Sequence, residues 1–492
     1  MFPYQTSFKL NRALSQPLYL QLSLQFIRYI KERQLASNTK LMGTRSLSKV
    51  LRVHRKTVVA CYEELALQGW VVSIPKKGTF VNSNLPLLEN QFFTKNTLIQ
   101  KNEIGFDFYN NEALQNPNYP TNDDLVYLND GISDSRLTPI HDISRSYRRI
   151  AGRRTIHKAL SYGSTFGNME LRKTLVTYLN ETRGLHITED NILITRGSQM
   201  GIYLASQLLL KKNDIIIVGD TNYATATTTF MNHGARILTV PVDANGIDTN
   251  AVEVLCIQHS IRALYITSHH HHPTTVTLSA ERRIHLLNLA KAYGFALIED
   301  DYDYDFNYNH APILPLASHD MNGNVVYIGS VCKTVAPVFR IGYFIGPKTF
   351  VSEASKLRRY IDRQGDALLE LTFEDFIRSG DLDRHIRKVL RIYKHRRDLF
   401  CQLLEDKCGN VFSFEVPKGG MAVWVALDKE YSWDTLRTIA KTYQLIVPDY
   451  RNYDLFDIKH NAIRIGFATY TDSEMHQLVD LLSKTVKRLK LN

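Results

Sequence analysis

The chain has 492 residues, more than one hydrophobic core usually supports, so two or three domains are expected. Hydrophobic residues at 44% and charged residues at 22% exclude a disordered chain; no apolar run approaches the roughly 18 residues that span a bilayer, and the N-terminus lacks a secretory pattern, so a cytoplasmic protein with no membrane partner is expected. The charge of +11 is gathered in one place: residues 1–82 hold thirteen Lys and Arg against three acids, Glu32, Glu63 and Glu64, a net of +10 that points to a polyanion partner for this segment alone.

Over residues 17–35, Leu18, Leu20, Leu22, Leu24, Phe26, Ile27, Ile30 and Leu35 predict an amphipathic helix with Arg28, Lys31 and Glu32 on its wet side. A second helix is expected from Thr44, whose hydroxyl suits a cap, through Leu47, Val50 and Leu51. After a turn at Val53 and His54, a third over 56–68 buries Val58, Val59, Tyr62, Leu65 and Ala66 and stops at Gly69. The stretch WVVSIPKKGTFV reads as two short strands around a turn with Pro75 and Gly78, with Lys76 and Lys77 at its tip. Three helices and a basic hairpin predict a winged helix-turn-helix over 1–82. In that arrangement Arg55, Lys56 and Thr57 meet base edges in the major groove. Thr44 and Arg45 lie beside the backbone, and Lys76 and Lys77 reach a flanking phosphate or the minor groove. Double-stranded DNA with paired half-sites is the expected partner.

Residues 83–124 are Asn-rich and punctuated by prolines, which predicts a linker in which Phe92, Phe93, Ile104 and Phe106 could dock on a domain. From 125 to 492, apolar runs such as DIIIVGD, ALYITS and FALIEDD alternate with helical stretches, predicting an α/β domain with a mainly parallel sheet. Cys61, Cys256, Cys332, Cys401 and Cys408 are scattered without metal or redox spacing and read as reduced packing thiols. A single lysine in a Ser-x-x-Lys arrangement says little by itself. A pyridoxal 5'-phosphate site, however, also needs a carboxylate for the ring nitrogen, a hydroxyl near the phenolate, donors and a cation for the phosphate, and a stacking aromatic. Candidates for each occur at strand ends or the loops after them, where open α/β sheets place ligands.

The segment MGTRSLSKVLRVHRKTVVACYEELALQGWVVSIPKKGTFV resembles the DNA-binding domain of the GntR family. Its departures, at Met42, Gly43, His54, Cys61 and Lys76, remove no positive charge. The stretches GSVCKTVAPVFRIGY, LIEDDYDYDF and TRGSQMG resemble fold type I aminotransferases of class I, and both halves together resemble the MocR subgroup of GntR regulators. That resemblance implies pyridoxal 5'-phosphate as cofactor, with Lys333 as the aldimine lysine and Ser198, Gln199, Ser330 and Arg340 on the phosphate. It implies Asp300 on the ring nitrogen, Tyr302 on the phenolic oxygen and Tyr223 stacked on the ring. Tyr162 in YGSTFG would cross to the other subunit's phosphate, implying a homodimer, and Arg464 in IRIGFA would bind the carboxylate of an amine or amino-acid effector, with Arg451 as its rival.

Three departures bear on the chemistry. His269, His270, His271 and His272 stand where the family has SHQ-x-PTG, so His272 takes the place of the asparagine that aminotransferases present to the phenolic oxygen. Cys332 replaces a serine before Lys333, and Thr221 stands where a proline is usual ahead of Tyr223. Consecutive histidines on an extended segment point alternately to opposite sides, so no metal site is expected. No residue is assigned a catalytic role. The expected function is a regulator that senses the cofactor or an amine that reacts with it; the alternative is an active aminotransferase with a DNA-binding appendage.

Overall fold

The computed structural model describes residues 2–85, 104, 106–109, 125–308, 313–331, 333–456 and 458–491. The chain divides into two compact units, Met1–Asn110 and Asn111–Asn492.

In the first unit, helices α1 (Leu18–Lys31), α2 (Thr44–Val50) and α3 (Arg55–Leu67) precede an antiparallel hairpin, β1 (Val71–Ile74) and β2 (Gly78–Val81). Leu22, Phe26, Leu47, Val58, Cys61 and Leu65 are fully buried in one core, each helix contributing the face that its i, i+3, i+4 spacing brings together. The boundaries differ from expectation for local reasons. His54 caps α3, its Nδ1 accepting from the Lys56 N–H at 3.2 Å, so the helix starts at Arg55 rather than at 56. Gly43, not Thr44, holds the cap position of α2, and no side chain closes it. Ala66 is exposed and Val59 half-buried, while Cys61 fills the core position that completes the spacing from Val58 to Leu65. Most of the expected linker, Phe92 and Phe93 included, lies outside the described residues. Ile104 and Phe106 are exposed.

The second unit is built on a seven-stranded sheet. Its strands are β3 (Ile192–Thr195), β4 (Ile215–Gly219), β5 (Arg236–Val240), β6 (Ile261–Ile266), β7 (Ala296–Asp301), β8 (Val325–Ser330) and β9 (Gly342–Ile345). They lie in the order β3-β9-β8-β7-β6-β4-β5; β9 runs antiparallel to both neighbours and all other pairings are parallel. Alternation along each strand sends Ile194, Ile217, Leu264 and Leu297 into one core and Leu193, Ile216, Ala263 and Ile298 into another, so both faces are covered, as a parallel sheet requires. Helix α4 (Ser198–Leu209) packs so closely on β8 that a Cβ on Gly201 would lie 2.8 Å from Ile328 Cγ2.

A second lobe has its own core, formed where α5 (Asp381–Cys408) and α6 (Asp472–Leu489) pack with an antiparallel sheet of β10 (Phe412–Phe414), β11 (Ala422–Leu427) and β12 (Ala462–Gly466). Cys61, Cys256, Cys401 and Cys408 are free and buried, and Cys332 lies outside the described residues. Among the described residues no helix is long and apolar enough to cross a membrane.

Candidate functional site

The chemistry collects where β7 and β8 end. Asp300 is 3% exposed, and the Tyr265 hydroxyl from β6 donates to its Oδ2 at 2.8 Å. Its Oδ1 is buried with no hydrogen-bond partner. Burial, reinforced by Asp301 and Asp303 nearby, pushes the carboxyl up to about 7. A buried acceptor without a donor is costly, by about 1–3 kcal/mol, and a protonated ring nitrogen is the kind of group that relieves it. The residues present therefore fit pyridoxal 5'-phosphate.

Lys333, just beyond β8, directs its Nζ to the Gly131 carbonyl at 2.7 Å. The Tyr302 hydroxyl donates to the His270 carbonyl at 2.8 Å and accepts from Arg464 Nη2 at 3.3 Å, and burial raises its pKa well above the ordinary value. The register Ser330–Gly342–Thr195 across β8, β9 and β3 brings Ser330 beside the start of α4. There Gly197, at φ +76°, precedes Ser198, and a Cβ on it would lie 2.7 Å from Arg340 Nη2. Arg340 Nη2 donates to the Arg196 carbonyl at 2.8 Å. Gln199 Nε2 donates to Thr229 Oγ1 at 3.1 Å while its Oε1 is buried without a partner. Helix N–H groups, hydroxyls and a guanidinium thus meet at one helix N-terminus, an arrangement suited to a phosphate.

The four consecutive histidines have four different partners. His269 pairs with Asp301 at 3.1 Å, His270 with Asp303 at 2.8 Å and His271 with Thr274 at 2.8 Å. His272 lies in the site, its ring edge-on to Tyr223 at 5.3 Å and its Nε2 3.0 Å from Asp130 Oδ2. Burial lowers the His272 pKa against the pull of Asp130, and its Nδ1 is buried without a partner; in the neutral tautomer with Nε2–H directed at Asp130, Nδ1 carries the lone pair.

Arg464 on β12 is 1% exposed; its Nη1 donates to the Pro273 carbonyl at 3.0 Å and its Nε lies 3.3 Å from Asp130 Oδ1. The rival Arg451 points into solvent, paired with Asp449 at 2.7 Å. Tyr162 is 77% exposed, with the Arg363 guanidinium 4.1 Å from its ring. Sequence reasoning missed Asp130 and Tyr265. Against partial desolvation at the edge of the cleft, which raises it, His272, Arg464 and Lys333 hold the Asp130 carboxyl below its ordinary value. Its only signal was an Asn-Asp-Gly turn, and Tyr265 had none beyond its place on a strand beside β7.

In the first unit, Arg55 and Lys56 are exposed in the first turn of α3, Arg45 in the first turn of α2, and Lys76 and Lys77 at the hairpin tip, with Thr44 and Thr57 half-buried between.

Residues 128–482 match the family described as aminotransferase class I and II. The chain is 27% identical to the HTH-type transcriptional regulator YisV of Bacillus subtilis (strain 168), over 98% of each chain. It is 24% identical to the probable rhizopine catabolism regulatory protein MocR of Rhizobium meliloti, over 86% of this chain and 85% of that one. The structure of kynurenine aminotransferase from Pyrococcus horikoshii, in complex with PMP, superposes with a TM-score of 0.70 at 27% identity, over 75% of this chain and 92% of that one.

Proposed function

The chain belongs to the class I and II aminotransferase family, whose cofactor is pyridoxal 5'-phosphate, and from that premise we propose that it is a DNA-binding transcription regulator that responds to this cofactor or to an amine or amino acid reacting with it. One observation carries the reading: a basic winged helix and an aminotransferase-fold unit with an orphaned Asp300 oxygen are joined in one chain. Relatives named as regulators align with nearly the whole length of the chain rather than with the second unit alone.

When bound, the cofactor supplies an aldehyde that condenses with amines and a ring that withdraws electrons. Lys333 is the residue for covalent attachment, its amine held by the Gly131 carbonyl at 2.7 Å. Asp300 would accept a hydrogen bond at Oδ1 from the protonated ring nitrogen and so keep the ring cationic. Ser198, Gln199, Ser330 and Arg340 would bind the phosphate, Tyr223 would cover the ring, and Tyr302 would meet the phenolic oxygen. Tyr162, exposed on its own subunit, would complete the phosphate site of a second subunit in a homodimer. His272 offers a neutral lone pair where aminotransferases offer an amide N–H, because its one N–H is held by Asp130. With Tyr302 as the one remaining donor to the phenolic oxygen, loss of the second weakens the case for transamination and favours sensing. On DNA, Arg55, Lys56 and Thr57 would read bases, while Thr44, Arg45, Lys76 and Lys77 would hold phosphates.

The reading is tested by equilibrium DNA binding of the full chain, with and without the cofactor and a panel of amino acids, alongside an assay for oxo-acid release. A DNA affinity that moves with ligand, without sustained turnover, supports the regulator. Sustained turnover with an unmoved DNA affinity would establish the aminotransferase instead.

A further inference from the structure

We propose that Asp130 is the resident counter-ion of the effector site, a carboxylate that an incoming ligand's carboxylate must displace from Arg464, so that it tempers the site's affinity for carboxylates while attracting the amine end of a ligand. The inference rests on the reading of Arg464 as the effector's carboxylate ligand.

The guanidinium of Arg464 is satisfied from within the chain. Nη1 donates to the Pro273 carbonyl at 3.0 Å, Nη2 to the Tyr302 hydroxyl at 3.3 Å and Nε to the backbone carbonyl of Asp130 at 3.3 Å, while the Asp130 carboxylate forms an ion pair with it, Oδ1 lying 3.3 Å from Nε. Of these partners Asp130 alone brings charge, with Asp303 a further carboxylate acting on the guanidinium, and a cation that is 1% exposed needs opposite charge. The other Asp130 oxygen accepts from His272 at 3.0 Å, and the Tyr453 hydroxyl donates to Oδ1 at 3.3 Å. Yet the Asp130 side chain is 48% exposed, so one side of the ion pair is dry and fixed while the other faces solvent at the mouth of the site. An exposed carboxylate on a buried arginine is a group that a ligand can replace.

The loop around Asp130 couples that exchange to the lysine. Gly131, at φ +89°, turns the chain so that its carbonyl accepts from Lys333 Nζ at 2.7 Å, next to the residue that pairs with Arg464. Asn129 braces the turn: its Oδ1 accepts from the N–H groups of Gly131 at 2.9 Å and Ile132 at 3.0 Å, and its carbonyl accepts from the Gly466 N–H of β12 at 2.7 Å. Both ligand-facing cations, Lys333 and Arg464, are therefore held by adjacent residues of one turn. A ligand with an amine and a carboxylate competes for both holds; a simple amine competes for one.

Propionate and propylamine separate the two ends of such a ligand. The test is isothermal titration of the cofactor-loaded full chain with each, in wild type, Asp130→Asn and Arg464→Met. Because Asn keeps the shape and removes the competing charge, Asp130→Asn is expected to bind propionate about tenfold more tightly and propylamine more weakly, since a cation loses an attracting neighbour. Shifts of the same sign for both probes, or no shift for propionate, would overturn the role of Asp130. Arg464→Met should abolish propionate binding in either background; if it does not, the carboxylate reading of Arg464 is what fails.

Discussion

Asp300→Asn should stabilise the cofactor-stripped protein at neutral pH while weakening its hold on the cofactor. Burial raises the carboxyl from its ordinary 3.8 to about 7. Between those values the native chain keeps a proton that the unfolded chain has released, so stability falls as pH rises through the window and levels off above it. The full difference corresponds to about 4 kcal/mol, of which about 3 kcal/mol develops between pH 5 and pH 8. Asparagine has no proton to hold, so the variant should gain about that much on wild type between the two pH values. With the cofactor present the sign reverses, because the ring's N–H loses a charge-assisted bond worth about 1.5–3 kcal/mol, roughly a ten- to hundredfold loss of affinity. Urea unfolding followed by tryptophan fluorescence reads the first effect, since two of the three tryptophans, Trp424 and Trp433, lie in the unit that carries Asp300, and replacing Trp70 of the first unit isolates their signal. Spectroscopic titration with the cofactor reads the second. Parallel pH profiles for variant and wild type would refute the reasoning, because they would mean that Asp300 is ionised in the native site without cost.

Lys333→Ala should abolish the visible absorbance of the cofactor-loaded protein yet leave DNA affinity in the absence of ligand within twofold, as measured by absorbance and fluorescence anisotropy; an unchanged spectrum refutes the lysine assignment. Arg55→Ala should cost roughly 1–3 kcal/mol on a preferred sequence and relax base choice there, whereas Lys76→Ala should weaken all sequences alike and lower the salt slope by about one. Equal effects of both on specific and nonspecific DNA would refute that division.

Much of this architecture was legible because its determinants are local. The continuous apolar runs leading to Asp300 and Ser330 announced buried parallel strands, and the basic, 3.6-periodic N-terminal segment announced helices with a charged face. Helix ends were less legible. Whether Gly43 or Thr44 takes the cap depends on backbone angles that neither residue type dictates, and the His54 cap of α3 uses a ring nitrogen that propensity does not anticipate. Asp130 was invisible for a different reason. Its partners, His272 at 3.0 Å and Arg464 at 3.3 Å, are far away in sequence, and only the meeting of β12 with the turn after residue 128 brings them together. The His run misled least where each ring's partner was a neighbouring strand-end acid: His269 and His270 serve Asp301 and Asp303, which leaves only His272 facing Asp130 and Tyr223 in the site.

The central claim, that chemistry in the second unit is transmitted to DNA, is tested most directly by titrating the full chain on a paired half-site and on one isolated half-site, each with and without cofactor and a cognate amino acid. If the ligand alters how two winged helices are presented, the paired site should shift by about 1–3 kcal/mol and the isolated half-site hardly at all. Equal shifts on both DNAs, or none on either, would contradict it.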